Sequence, residues 1–276
     1  MAVAAKAEQI VWRLIDTGPL AGPDNMAVDE ALLDCFDPDN SQPVLRLYGW
    51  TPPAFSLGRY QKAAEVLDLE RCKALGVPVV RRITGGGVIY HADELTYSIV
   101  CAARHIPRAR TVKESFERLC GFLLLTYRKL GLKAAFAVER CSAGVKLGER
   151  AAFCFAGKEE YDIVVAGRKV GGNAQRRLKE VIFQHGSIPL RTSVAAAVGF
   201  LREMPPGLDQ NAASLADLGV EVTAEELKGV VTASFRESLG VGMVPDALTG
   251  EESETAEALR TGKYLQSGWN ISGGGG

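Results

Sequence analysis

Three consecutive glycines, Gly85-Gly86-Gly87, constrain this chain more than any other local feature. They follow the apolar run Val77–Val80, which reads as a strand, and two arginines, Arg81 and Arg82. Val88, Ile89, Tyr90 and His91 come directly after them. With three successive Cβ atoms missing, the backbone can turn sharply and a ligand can lie against its amides. The stretch matches neither the phosphate loop GxxxxGK[ST] nor the fingerprint GxGxxG, because no suitable glycine follows Gly87. Taken alone, the residues allow a plain hairpin turn or a cradle for a phosphate or an extended acyl chain. Arginines at its entrance favour an anionic partner.

Around this loop the pattern alternates between helix and strand. Residues 24–35 read as a helix opened by Asp24, and Pro43–Trp50 as a strand ended by Pro52 and Pro53. Asp68–Leu75 reads as a helix stopped by Gly76. Thr111 and Glu114 form a capping-box pattern before a stripe of Val112, Phe116, Leu119, Leu123 and Tyr127, and Gly131 follows the expected end. Tyr161–Val165, Lys169–Ala174 and Val181–Ile188 read as strands, the first two joined by a tight turn at Ala166-Gly167. Beyond about residue 190 the pattern becomes helical, with Thr223 and Glu226 capping a stripe of Leu227, Val230, Val231 and Phe235. These elements predict an α/β (α+β) fold, a mixed β-sheet flanked by helices. One catalytic domain is expected over residues 1–276, with a core at about 10–190, a helical C-terminal extension at about 191–270 and a flexible glycine tail at 273–276.

The charge is almost balanced, 32 basic against 33 acidic side chains in 276 residues, so nothing global points to nucleic acid or to a membrane surface. No stretch approaches the length of a membrane span, and the opening MAVAAKAEQIVWRL lacks a continuous apolar core. Six cysteines are scattered without a CxxC pair or ligand spacing, so a reducing, cytoplasmic setting and no metal are expected.

Cys154 lies between aromatics, and Lys169 follows fifteen residues later in Gly167-Arg168-Lys169-Val170-Gly171-Gly172. A thiol becomes a nucleophile when its thiolate is favoured, and an ammonium beside it does this while also offering donors to an oxyanion. By itself the pair is weak evidence, because most lone cysteines are small buried hydrophobes and most exposed lysines are solvated. His91 and His185 are readable either as pocket residues or as hydrogen-bonded structural histidines. Arg59, in Ser56-Leu57-Gly58-Arg59-Tyr60-Gln61, is readable as pocket lining or surface turn. Gln175, Arg176, Arg177 and Lys179 form a basic cluster with Arg168 and Lys169.

The stretch RRITGGGVIYHADELTYSIV, Arg81–Val100, resembles the signature of the lipoate-protein ligase, lipoyl/octanoyl transferase and biotin-ligase superfamily. Further matching blocks occur in order: DNMAVDEALL, PVLRLYGWTPPAFSLGRYQ, GRKVGGNAQRR, QHGSIPL and KYLQSGWN. Phe153-Cys154-Phe155 followed by Tyr161-Asp162, in place of a Gly-Asn-Asp-Leu block, is similar to the octanoyltransferases of the LipM type. The residues Ala156–Glu160 depart from that pattern, where Pro-Ser is usual near the tyrosine.

The resemblance implies a biotin/lipoate protein ligase-like catalytic domain in which Cys154 accepts an octanoyl group as a thioester and Lys169 is its partner. It implies substrate-binding roles for Arg59, Arg82, Gly85, Gly86, Gly87, His91, Gly171 and Gly172. It implies octanoyl-acyl carrier protein as donor, and a lysine of an apo lipoyl domain or glycine-cleavage H protein as acceptor. It implies no cofactor and a monomer. The alternatives it leaves are an ATP-dependent lipoate-protein ligase, a lipoyl or octanoyl amidotransferase between carrier proteins, and a non-catalytic acyl-carrier-binding protein.

Overall fold

The computed structural model describes residues 9–106, 109, 111–140, 161–203 and 211–273. Its main sheet is built around a strand–helix–strand unit: β1, Val11–Leu20, then helix α1, Gly22–Asp34, then β2, Val44–Trp50, parallel to β1. The register runs from Arg13 opposite Val44 to Leu20 opposite Trp50, with an irregularity between Asp16 and Gly18. Antiparallel β6, Glu94–Ala102, β11, Val181–Pro189, and β10, Gly172–Leu178, extend it on one side. On the other side β12, Gly242–Asp246, pairs parallel to β1. The order is therefore β10-β11-β6-β2-β1-β12, a mixed sheet as expected. Strands β6 and β11 are buried along their whole lengths, which places the polar side chains they carry inside the molecule.

Two smaller sheets flank this one. The first has the order β4-β3-β5, from β3, Ala54–Leu57, β4, Val79–Arg81, and β5, Ile89–His91. Since β3 lies between β4 and β5, the triple glycine crosses over the end of β3. The plain hairpin reading of that segment is thereby corrected: its flanking strands are not neighbours. The second small sheet has the order β7-β8-β9, from β7, Ala134–Phe136, β8, Ile163–Val165, and β9, Arg168–Lys169. Its β8–β9 turn is the one anticipated, with Ala166 at φ 49° and Gly167 at φ 80°. The single strand expected over Lys169–Ala174 is instead two, because Gly171 at φ 85° redirects the chain from the small sheet into β10.

The helices close the core. Helix α2, Leu69–Ala74, is capped by Asp68, whose side chain accepts the Arg71 N–H. Helix α3, Val112–Lys129, begins with the anticipated capping box, Thr111 accepting from the Glu114 amide at 3.1 Å. Val112 departs from the expected stripe and is 60 % exposed, since the first residue of a capped helix projects away from the sheet. Leu119, Leu123 and Tyr127 are buried as anticipated. Helix α4, Ala224–Leu239, packs against α3, and Trp12, Phe122 and Phe235 meet edge to face between them and the sheet. Helix α5, Gly250–Leu259, packs on α1. The C-terminal segment is helical as expected and also supplies β12, tied down where Arg13 bonds Asp246 and Glu252 at 2.6 Å each. Among the described residues no helix is long and apolar enough to cross a membrane. The glycine tail lies outside them except for Gly273.

Candidate functional site

The loop from Thr84 to Gly87 is held from beneath by two buried polar chains. In the first, Thr84 Oγ1 lies 2.7 Å from His185 Nε2, and His185 Nδ1 lies 3.6 Å from Asp29, an ion-pair distance too long for a hydrogen bond. Asp29 also binds Arg46 at 2.7 Å, Tyr48 at 2.8 Å and Ser98 at 2.7 Å. Burial opposes ionisation of Asp29, yet the Arg46 charge and these donors hold its carboxyl below the usual range. Burial outweighs Asp29 at His185 and pushes that imidazole down, toward its neutral form. In the second chain Ser56 Oγ lies 2.7 Å from His91 Nε2, and His91 Nδ1 lies 2.8 Å from Glu94. Burial opposes ionisation of Glu94 too, but His91, Thr96 and Ser187 keep it below the usual range. Trp50 covers the other face of His91, stacked at 3.9 Å and nearly parallel.

Arg82 joins this support to the loop. Its guanidinium donates to the carbonyls of Ser56, Gly85 and Gly87 at 2.8–2.9 Å, a fork that only a planar multi-donor group can supply. Gly86 sits at φ 95°, and Gly58 is pressed against it so closely that a Cβ there would overlap the Gly86 carbonyl oxygen. Thus the loop's carbonyls are drawn inward.

The second half of the site lies where β9 meets β10. Lys169 is 3 % exposed, and its ammonium is 2.7 Å from Asp162. Gly171 follows, packed so tightly that a Cβ would strike the Ser187 carbonyl oxygen. Ser187 donates to Glu94 at 2.8 Å, and His185 stands two residues earlier on the same face of β11. Strand β11 therefore brings the Gly171-Gly172 corner and the glycine loop onto one buried polar frame.

The sequence-derived candidates fall into groups. Gly85, Gly86, Gly87, Arg82 and His91 are gathered at the loop, with Arg82 and His91 buried beneath it. Lys169, Gly171 and Gly172 are gathered at the corner. Arg59 is half-buried at the edge of a cavity, its guanidinium near the rings of Tyr60 and Trp269. Cys154 lies outside the described residues. Cys35, Cys72, Cys101 and Cys120 are free, and burial pushes each of their thiols up, away from the reactive thiolate. The described residues contain no cluster of side chains able to hold a metal ion.

Asp29, Glu94 and Asp162 were not singled out from sequence. A signal existed for the first: Asn25 and Asp29 stand four apart on one face of the helix, and both bind Arg46. Glu94 stands three residues after His91, but that spacing has no meaning until the strand geometry is known.

Comparison with known proteins follows the same outline. Residues 22–236 match the model of the lipoyl protein ligase A/B catalytic domain. The chain is 39 % identical to the octanoyltransferase LipM of Kyrpidia tusciae over 94 % of this chain and 98 % of that one. It is 34 % identical to the octanoyltransferase LipM of Bacillus subtilis over 94 % and 97 %. Among solved structures, lipoate-protein ligase A bound with ATP shares the fold at a TM-score of 0.78, with 24 % identity and 95 % and 98 % coverage. The bi-partite lipoate protein ligase from Thermoplasma acidophilum shares it at 0.77, with 23 % identity and 95 % and 96 % coverage.

Proposed function

This chain belongs to the lipoyl protein ligase A/B catalytic domain family, and from that premise we propose that it is an octanoyltransferase of lipoate biosynthesis working through a cysteine thioester. The donor is octanoyl-acyl carrier protein, and the acceptor is a lysine of an apo lipoyl domain or glycine-cleavage H protein. The observation that supports this reading, beside the relatives, is Lys169: a cation held almost out of solvent and paired with Asp162, two residues before the tightly packed Gly171.

In the first half-reaction the Cys154 thiolate attacks the octanoyl thioester carbon. A new carbon–sulfur bond forms, the bond to the carrier breaks, and the carrier leaves as a thiolate that takes a proton. Lys169 is the group that offers N–H donors to the carbonyl oxygen as charge develops there, an interaction worth about 2.7–4 kcal/mol when one such donor is lost. In the second, the neutral ε-amine of the acceptor lysine attacks the enzyme thioester. The amide carbon–nitrogen bond forms, the Cys154 thiolate is released, and the amine sheds a proton. A thioester is exchanged for a thioester and then for a more stable amide, so no ATP enters the balance. The raised thiols of the four described cysteines favour Cys154 over them as nucleophile.

The test is intact-mass spectrometry after incubation with octanoyl-acyl carrier protein without ATP, before and after an apo lipoyl domain is added. Wild type is expected to gain one hydroxylamine-labile octanoyl group that passes to the acceptor, and Cys154→Ala to gain none. Turnover retained in Cys154→Ala, or acceptor modification only when ATP and free octanoate are supplied, would instead make the chain a ligase or remove the covalent step.

A further inference from the structure

Beside the glycine loop lies a second feature that the acyl-transfer chemistry does not use. A cavity of about 350 Å³ opens between the 59–64 segment and the C-terminal residues Ile271–Gly273, with Arg59 and Lys62 on its rim and, among the described residues, no acidic one in its lining. Directly beneath is Arg81, fully buried. Its guanidinium donates to the carbonyls of Gly58, Arg59, Gln61, Trp269 and Ile271 at 2.7–3.2 Å. No carboxylate appears among those acceptors, so the charge is solvated by backbone dipoles but not neutralised.

Arg59 is in a related position. Its side chain makes no hydrogen bond or ion pair among the described residues and is held only by the faces of Tyr60 and Trp269, 5.8 and 5.3 Å away. Lys62 pairs with Glu65 at 2.8 Å, but both ends are more than two-thirds exposed, a pairing that water and salt easily replace. Burial and the neighbouring Arg59 charge both oppose the charge on Arg81. One guanidinium on the cavity rim and a second buried beneath it, neither paired with a carboxylate among the described residues, suit an anion, and a guanidinium fork suits phosphate best.

The cavity also has the right neighbour. The Arg59 N–H donates to the Thr84 carbonyl at 2.8 Å, and Gly58 packs against Gly86, so the cavity wall is built directly on the glycine loop. We propose that this cavity is a phosphate subsite that takes the phosphate of the acyl donor's arm while the acyl thioester lies along Gly85–Gly87. The assignment rests on the thioester-donor reading above. It makes Arg59 the anchor of the donor's far end, with Arg81 supplying field and shape without contact.

The experiment uses the full chain and small donors that differ only by the phosphate: octanoyl-phosphopantetheine and octanoyl-pantetheine. Calorimetric binding of phosphopantetheine and pantetheine, and kcat/KM for the two octanoyl thioesters, are measured for wild type, Arg59→Gln and Lys62→Gln. Since the Arg59 side chain holds no hydrogen bond among the described residues, its replacement is expected to leave the fold intact, which the Tm checks. Wild type should prefer the phosphorylated form by about tenfold or more in both readouts, the usual effect of one charge-assisted contact. Arg59→Gln should bring the ratio near one, and Lys62→Gln should lower it less.

Equal binding of the two forms by wild type, or an undiminished ratio in Arg59→Gln, overturns the subsite. A parallel titration with ATP separates the sources of phosphate: Arg59-dependent ATP binding tighter than phosphopantetheine binding would assign the cavity to a nucleotide and overturn the donor-arm proposal. If phosphopantetheine binds with the predicted dependence on Arg59 while neither thioester acylates the chain, the transferase reading has failed and the phosphate site has not.

Discussion

Lys169 brings a positive charge to a position that is 3 % exposed, and Asp162 answers it at 2.7 Å. The hydration lost by a buried ion is large, so removing one partner is far more costly than never having built the pair. Lys169→Met is therefore expected to lower stability by about 3–5 kcal/mol, read as a fall in the denaturation midpoint, and to slow acylation. Asp162→Asn keeps the shape but leaves the Lys169 charge without its counter-charge, so acylation should slow together with a stability loss of the same order. Unchanged acylation in Asp162→Asn would confine the carboxylate to a structural part.

Histidine titration gives a second prediction at the same scale. Burial, with help from Arg104, pushes His105 down to about 4 from the ordinary 6.5, and burial also lowers His185. An imidazole depressed in the folded state resists a proton that the unfolded chain accepts, so stability falls as the pH drops below 6.5. For His105 the loss continues to about pH 4, where the folded form at last takes the proton. The Ala102 N–H donates to His105 Nδ1 at 3.0 Å, a bond that a proton on that nitrogen would abolish. The depressed carboxylates Asp29 and Glu94 have the opposite kind of site and the same direction: their stabilisation is full above the ordinary carboxylate range and lost as pH falls through the folded value. Tm should thus decline from pH 7 to 5, and His105→Gln should flatten part of that decline. An unaltered pH–Tm curve in this variant would exclude His105 as a source.

At the scale of elements, glycines decide how closely segments approach. Gly171 needs φ 85° and leaves no room for a Cβ beneath the Ser187 carbonyl, and Gly58 leaves none beside Gly86. Both contacts are backbone against backbone, which cannot swing aside as a side chain can. Gly171→Ala is expected to cost more than the roughly 1–2 kcal/mol of the left-handed conformation alone, because β10 must also move away from β11. Gly76→Ala makes a fair comparison, since Gly76 also has a positive φ of 65° but nothing near its missing Cβ. Thermal melts of the two variants should differ accordingly, and an equal loss in both would show that crowding at Ser187 contributes nothing.

For the whole molecule, the C-terminal segment returns to strand β4 from nearly two hundred residues along the chain. Trp269 donates its indole N–H to the Arg81 carbonyl at 2.9 Å, and Asn270 accepts the Arg81 N–H at 3.0 Å. The Lys263 ammonium rests 3.9 Å from the Trp269 ring and binds Glu30 of α1. Strand β4, α1 and the chain end are thus one unit. Trp269→Ala is expected to cost stability, though less than the roughly 3–5 kcal/mol of a fully buried aromatic, because Trp269 is half-buried. It should also reduce the preference for the phosphorylated donor, because Arg59 loses one of its two rings. A stable variant with full phosphate preference would detach the C-terminal segment from the site.

Local chemistry was legible wherever a few neighbouring residues settle the outcome. The capping boxes at Thr111 and Thr223, the Ala166-Gly167 turn and the buried faces of α3 and α4 depend on contacts within one or two turns of chain. The mixed sheet and the family blocks were also readable, the first from the alternation of helical and strand patterns and the second as short motifs in a fixed order. Strands β1, β6 and β12 were not read, because β6 is buried on both faces and shows no alternation, and β12 has meaning only beside β1. Tertiary structure alone decided that β3 lies between the strands joined by the glycine loop, that Asp162 answers Lys169, and that two histidine–carboxylate chains stand beneath the loop. It also decided that Arg81 is buried beside an open cavity with backbone carbonyls as its acceptors among the described residues. Sequence fixes which groups are available and their local conformations; which charge meets which depends on strand order, and strand order is set by burial summed over the whole chain.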